Sequence, residues 1–547
     1  MHLHQVRRRG PLHPSGVISE IFADFDCAGS PGATLAVARD GDVMESHSFG
    51  EANVEHGAPN ARDTVFYIAS TSKQFVGCAI ALLEADSALD VDADVGDYLP
   101  ELHRFDSTVR VRNLLHHTSG IRDKYALNAV GRLPEETIST DFGSMALLAR
   151  QRSLHFEPGS RFMYSNSNYF LLAQIVERVS GMSFADFTRT RIFGPLGMAA
   201  SRFRDDASVV IANRASGYRR GRDGSWHLAE YTWNSLGPGG VVTTVDDLAK
   251  WATTYYDNRL EPADLGARML RTEPLADGRP NTYAFGVMVD SYRGLTAVSH
   301  AGGVSGFAAE MITFPDHHLS VICLANTSVL PAAQKAREVA ALHFGDALAP
   351  LSSSSPGEPV GDARFDVDAF AGTYLTADES AVFRVMAQAD GGVVLQAGGQ
   401  VIPVAMVGSA HLRTPAGTDV ELSGDALVLT APGPSEPVRC ARVEEQVLDV
   451  AALDAVAGEY RSPELGASLH VRRDGEALRA EWPWHPPAPM RALGLDLFLA
   501  LVGVDGNLGE IPMRFVRDAG GSVTGLQISI DRALGNRFER VPPRSGE

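Results

Sequence analysis

At 547 residues the chain is longer than one hydrophobic core sustains, and length alone suggests about three domains. A composition of 44% hydrophobic and 21% charged residues is that of an ordinary globular protein, and a formal charge of −19 argues against a nucleic-acid partner, which needs clustered cationic surface. No apolar run approaches the roughly 18 residues of a membrane helix; the longest, Phe75 to Leu83, is interrupted by Gly77, so no membrane role is expected.

The chain opens with Arg7-Arg8-Arg9, but Pro11, His13 and Pro14 follow where a secretory signal would place an apolar stretch. The expectation is a cytoplasmic protein. Cys27, Cys78, Cys323 and Cys440 are scattered with no C-x-x-C pair, which suits buried thiols in a reducing compartment. Strand-like runs at Ala33 to Ala38 and Val43 to Phe49 come next.

Ser70-Thr71-Ser72-Lys73 follows them, at the start of a helix whose apolar positions Phe75, Cys78, Ala79, Leu82 and Leu83 form one stripe. Positions i and i+3 share a helix face, so the lysine side chain can lie beside the serine hydroxyl. Burial at the inner end of a packed helix favours the neutral amine, which can accept a proton.

Asp90-Val91-Asp92-Ala93-Asp94-Val95-Gly96 imitates a calcium loop, but its glycine falls one position late and Pro100 intrudes. It reads as an acidic surface turn. His116-His117 and His317-His318 are adjacent pairs without the spacing or the carboxylate of a zinc site. Neither metal nor cofactor is expected.

The turn Phe156-Glu157-Pro158-Gly159-Ser160 leads to Tyr164-Ser165-Asn166 and an apolar helix containing Tyr169, Leu171, Leu172, Ile175 and Val176. Strand-like runs return at Ala284 to Val289, Leu295 to Val298, Ala308 to Phe314 and Leu319 to Ala325, with His300-Ala301-Gly302-Gly303 between the second and third. A helical pattern from Ala332 to His343 closes this part. Strands at both ends of a helical middle imply one antiparallel sheet assembled from distant segments and flanked by helices, an α+β fold.

Ala349-Pro350-Leu351-Ser352-Ser353-Ser354-Ser355-Pro356-Gly357 cannot pack and reads as a linker. Beyond it, short alternating strands such as Val382 to Val385 and Gly392 to Leu395 are separated by Gly and Asp turns. Asp368-Ala369-Phe370-Ala371-Gly372-Thr373-Tyr374 reappears as Asp454-Ala455-Val456-Ala457-Gly458-Glu459-Tyr460. Two copies of an all-β unit imply a pair of small antiparallel barrels, because closure removes exposed sheet edges.

S-x-x-K, then Y-x-N, then a basic residue followed by glycine resembles the serine beta-lactamase and penicillin-binding-protein superfamily. Y-S-N and H-A-G move the likeness from class A beta-lactamases toward class C-like hydrolases: esterases, D,D-peptidases and D-aminopeptidases. With two barrels behind it, the chain is similar to bacterial D-aminopeptidases from about Gly32 to the C-terminus. Ser119-Gly120-Ile121-Arg122-Asp123 and His155 to Ser160 belong to that likeness.

The resemblance implies a beta-lactamase-like catalytic domain over 1–348, a linker over 349–362, and eight-stranded barrels over 363–447 and 448–547. It implies a serine hydrolase releasing an N-terminal D-amino acid from peptides or amides. Ser70 is then the nucleophile, and Lys73 and Tyr164 are alternative or coupled bases. His300 stands where relatives carry lysine, hydrogen-bonding the tyrosine oxygen with a weaker, pH-dependent charge. Asn166 holds Lys73 and the substrate amide, and the N–H groups of Ser70 and Gly303 bind the oxyanion. Asp505, in the loop between Leu497 to Leu501 and Ile511 to Phe515, meets the substrate amine. The resemblance further implies a tendency to form homodimers. An esterase or beta-lactamase-related hydrolase without an amine pocket, and a non-catalytic sensor of peptidoglycan fragments, are the competing readings.

Overall fold

The computed structural model describes residues 14–134, 136–221, 223–229, 234–350, 367–388, 392–408, 410–414, 417–431, 437–504 and 507–542. The N-terminal arginines, most of the expected linker, the turn at 389–391 and Asp505 lie outside the described residues. The chain divides into two compact units. One comprises Met1–Gly120, Ser139–Phe142 and Phe156–Pro350; the other comprises Ile121–Ile138, Gly143–His155 and Leu351–Glu547.

The first unit is built on a six-stranded antiparallel sheet, ordered 288–292, 295–304, 307–314, 319–325, 33–39 and 42–49. Strand Ala33–Arg39 pairs with Leu319–Ala325, so the two ends of the unit meet in mid-sheet. Every residue of Leu319–Ala325 is buried, as a continuous apolar run covered on both faces requires. One face carries helix Ala332–Phe344 and the N-terminal helix over a core of Leu35, Val37, Ile312, Val321 and Val339. The helical middle contains helices Lys73–Ala85 and Asn166–Ser180, which pack on each other. Both are buried over most of their surface, which marks central elements.

Some boundaries differ from the sequence pattern. The strand expected over Ala284 to Val289 begins at Met288, because Tyr283 to Val287 form a turn in which Ala284 N donates to Val287 O. In the acidic stretch, Asp94 caps a short helix, accepting from Gly96 N at 2.7 Å. Among the described residues no helix is long and apolar enough to cross a membrane.

The second unit holds two related β-structures. Residues 458–540 form a closed eight-stranded barrel. Residues 372–443 form a nine-stranded sheet whose edge strands, Gln400–Pro403 and Ala405–Gly408, are separated by Val404 alone. Consecutive edges bring the sheet round on itself, so it is a nearly closed barrel with one strand broken in two.

The repeated heptad has a structural cause. Tyr374 Oη donates to Phe370 O at 2.8 Å, and Tyr460 Oη to Val456 O at 2.6 Å. Arg442 and Arg540, each on the last strand of its barrel, donate to carbonyls in the two heptads. A Cβ on Gly372 or Gly458 would meet those guanidiniums, at 2.9 and 3.0 Å from Nε. In both copies a side chain at this position would push the arginine aside, and the repeat is a closure device.

Within the span expected to be catalytic, Ile121–Ile138 and Gly143–His155 group with the barrel unit, while Ser139–Phe142 stays with the first. Asp123 N donates to Arg532 O at 3.1 Å. Arg122 Nε donates to Leu534 O at 3.3 Å, and Leu534 N donates to His155 Nε2 at 2.8 Å. Arg122 also ties these two segments together, donating to Ser153 O and Oγ at 2.7 and 2.9 Å.

Candidate active site

Ser70 lies in a single 3₁₀ turn, Ala69–Ser72, that runs directly into helix Lys73–Ala85. Ala69 has φ of +46°, a conformation costing about 1–3 kcal/mol at a non-glycine residue and typical of constrained functional turns. The turn is held from below: Val241 N donates to Ser72 Oγ at 3.1 Å, and Thr71 Oγ1 to His300 O at 3.2 Å. Gln74 Nε2 donates to Thr71 O at 2.8 Å, while its Oε1 accepts from Tyr255 Oη and Trp251 Nε1.

Lys73 is completely buried. Its Nζ lies 3.0 Å from Ser70 Oγ, 2.9 Å from Asn166 Oδ1 and 2.6 Å from Pro238 O. Nζ is also 4.9 Å from the centre of the Tyr164 ring and 5.8 Å from that of Tyr169. Ser70, Lys73, Tyr164 and Asn166, read from two separate motifs, therefore converge. Asn166 is the first residue of its helix, with Tyr164 and Ser165 immediately before it.

His300 sits on strand Leu295–Val304, which passes against the Ser70 turn. A Cβ on Gly302 would stand 2.1 Å from Ile68 O and 2.8 Å from Thr71 Oγ1, so only glycine permits this approach. Gly303 has open space where a Cβ would project.

His300 departs from the sequence expectation. Its ring lies 6.3 Å from that of Tyr164, centre to centre, but its Nε2 is hydrogen-bonded to Tyr283 Oη at 2.9 Å and its Nδ1 to Ala301 O at 2.6 Å. A carbonyl only accepts, so Nδ1 carries the proton and Nε2 accepts from the tyrosine. Burial, reinforced by the nearby Lys73 charge, pushes the imidazole down to about 3. It is neutral at physiological pH and supplies no cation there.

Burial likewise pushes the phenols of Tyr169 and Tyr283 well up, so both are hydrogen-bond donors rather than phenolates. Tyr169 Oη donates to Leu115 O at 2.9 Å.

Three contributors were not read from the sequence. Pro238 belongs to the run Gly237-Pro238-Gly239-Gly240, and that glycine density was the available signal for backbone brought close to a functional group. Tyr283 lies in an irregular segment with no motif of its own. His117, dismissed as a zinc ligand, packs against Tyr164, Tyr169 and Tyr283 with ring centres 4.3, 5.1 and 4.5 Å away. Its only flag was its place just before Ser119-Gly120.

Among the described residues no cluster of His, Cys, Asp and Glu is arranged to hold a metal ion.

A family model described as beta-lactamase matches residues 19–344, and one described as D-aminopeptidase, domain B, matches residues 366–538. A D-aminopeptidase of Brucella anthropi is 27% identical over 520 residues, covering 94% of this chain and 96% of its own length. One from Gluconobacter oxydans is 30% identical over 449 residues, with 80% of each chain covered. The octameric penicillin-binding protein homologue from Pyrococcus abyssi shares the fold, with a TM-score of 0.54, 21% identity, and 96% of this chain and 98% of that chain covered. A penicillin-binding protein from Bacillus halodurans covers 60% of this chain and 99% of itself, at a TM-score of 0.52 and 26% identity. With a serine–lysine–tyrosine site on a beta-lactamase-type domain and two β-structures behind it, the chain belongs to the D-aminopeptidase family.

Proposed function

We propose that this protein is a serine hydrolase releasing an N-terminal D-amino acid from short peptides or amides through an acyl-enzyme on Ser70. The observation that carries this reading is the environment of Lys73 Nζ. Pro238 O and Asn166 Oδ1, both acceptors, lie within hydrogen-bond distance of it. Once Nζ has given up one proton, the amine still donates to those two acceptors and its lone pair can face Ser70 Oγ, 3.0 Å away. Attack of Oγ on the amide carbon then transfers the hydroxyl proton to Nζ, with the Tyr164 phenol beside it. The amine leaves with a proton from this pair, and water repeats the sequence to free the acid.

The N–H groups of Ser70 and Gly303 are assigned to the tetrahedral oxyanion, where two preorganised donors supply several kcal/mol in such reactions. Asn166 is assigned to the substrate amide as well as to Lys73. With His300 neutral, a substrate ending in a carboxylate meets no imidazolium, which favours substrates without that group. Asp505 is assigned to the substrate amine on the family resemblance alone, and Asp505→Ala is expected to slow turnover of free-amine substrates while sparing N-acylated ones. A catalytic domain to residue 348, barrels from 363 and 448, a cytoplasmic setting and a homodimer complete the reading.

Its test is a parallel assay of D-alanine p-nitroanilide, L-alanine p-nitroanilide, a short ester and a chromogenic cephalosporin. The D-anilide is expected to exceed the L-anilide by on the order of 10²-fold in kcat/KM, a ratio that a shaped pocket supplies. Equal D and L rates, or turnover confined to the ester, point instead to a broad esterase.

A further inference from the structure

We propose that His117 is the positioning residue for Tyr164, setting the phenol beside Lys73 through hydrogen bonds to the backbone on both sides of it. The inference rests on the reading of Tyr164 as a member of the proton-transfer pair. His117 is fully buried, with φ of +56°. Its carbonyl accepts from Met163 N at 2.9 Å, and its Nδ1 accepts from Ser165 N at 3.1 Å. Both neighbours of Tyr164 are thereby bound to one residue, and little freedom is left in the dihedrals between them.

The ring is itself held in place. Asn168 Nδ2 shares Nδ1 at 3.2 Å, and Asn168 Oδ1 takes the Ser119 hydroxyl at 2.7 Å. Ser119 and Asn168 are buried, so Ser119, Asn168, His117 and Ser165 form a buried run of hydrogen bonds. This gives Ser119 a part in holding the ring. An amide N–H can only donate, so Nδ1 must be the acceptor and a neutral ring carries its proton on Nε2. The ring also packs on Tyr283, the partner of His300. One side chain therefore sets two of the groups around Lys73.

The test compares His117→Gln, His117→Asn, Tyr164→Phe and the double variant His117→Gln/Tyr164→Phe. Asparagine keeps an acceptor close to where Nδ1 stands and tolerates positive φ. Glutamine reaches past that point and leaves Ser165 N–H without its partner. With D-alanine p-nitroanilide, His117→Gln is expected to lower kcat about 10²-fold, the cost of misplacing a reacting group by about an ångström, while KM changes less than about 3-fold. His117→Asn is expected to stay within about 5-fold of the parent, and the double variant to be no slower than Tyr164→Phe. A folded His117→Gln variant with parental kcat overturns the proposal, as does a double variant whose loss is the product of the single losses. Should His117→Gln fail to fold, Asn168→Ala takes its place, with loss of kcat at constant KM supporting the proposal and unchanged kcat overturning it. Parental activity in Tyr164→Phe would instead locate the failure in the Tyr164 reading.

Discussion

Lys73 Nζ lies 3.0 Å from Ser70 Oγ, and two carbonyl-type acceptors at 2.9 and 2.6 Å take up its other protons. The nucleophile and the amine are set side by side by one helical turn, and the acceptors come from parts of the chain distant in sequence.

Replacing that amine has two consequences. Lys73→Met is expected to lower kcat by about 10³–10⁴-fold, at the upper end of what a positioned proton acceptor contributes. It also leaves Pro238 O facing a thioether in the interior, a cost of about 1–3 kcal/mol for an unpaired buried group. Steady-state kinetics and a thermal melt on the same preparation check both.

Gly302→Ala places a methyl group 2.1 Å from Ile68 O. A backbone atom is the obstacle, so strand and nucleophile turn must part. Overpacking of this kind costs about 1–3 kcal/mol. Because the turn carries Ser70, kcat is expected to fall further than stability implies; Gly303→Ala, with open space around it, is expected to fold as the parent does.

The neutral His300 has a stability signature. Its protonation is suppressed from the ordinary 6.5 to about 3 in the folded chain. Between those values the unfolded state binds a proton that the native state refuses, so this residue makes stability rise with pH across the window and fall as pH drops through it. The melting-temperature difference between His300→Gln and the parent is expected to shift in favour of the variant as pH falls from 6.5 toward 3. A constant difference contradicts a buried neutral ring.

Arg122 is nearly buried and holds Leu534 O, Ser153 O and Ser153 Oγ. Arg122→Ala is expected to destabilise the barrel unit by about 2–3 kcal/mol, from lost charge-assisted bonds and carbonyls left unpaired. Hydrogen exchange is the discriminating readout: amides of helix Lys124–Gly131 should lose protection while those of helix Lys73–Ala85 keep it.

The parts of the site legible in sequence were those in which chemistry is encoded at short range. Ser70 and Lys73 are one turn apart, and Tyr164 and Asn166 flank the start of one helix. Periodicity shows which face of a helix is apolar but not what stands opposite. That is why Pro238 and Tyr283 went unread and His117 was weighed only as a metal ligand; each is delivered by a loop. His300 stands on the strand beside the Ser70 turn, but its partner and charge were not legible, since both follow from burial against Tyr283. In the barrels the repeat identified related units. The break at Val404 left no mark because a one-residue interruption does not disturb alternation. The membership of helix Lys124–Gly131 in the barrel unit was not legible, since it depends on Arg532, Leu534 and other residues hundreds of positions away.

The most direct measurement is intact-mass spectrometry of acid-quenched mixtures of D-alanine p-nitroanilide with the parent protein and with Ser70→Ala. The expected result is a mass increase of one alanyl group on the parent, mapped to the peptide containing Ser70, with no adduct and no p-nitroaniline release above background in the variant. Turnover undiminished in Ser70→Ala would show that this hydroxyl is not the nucleophile.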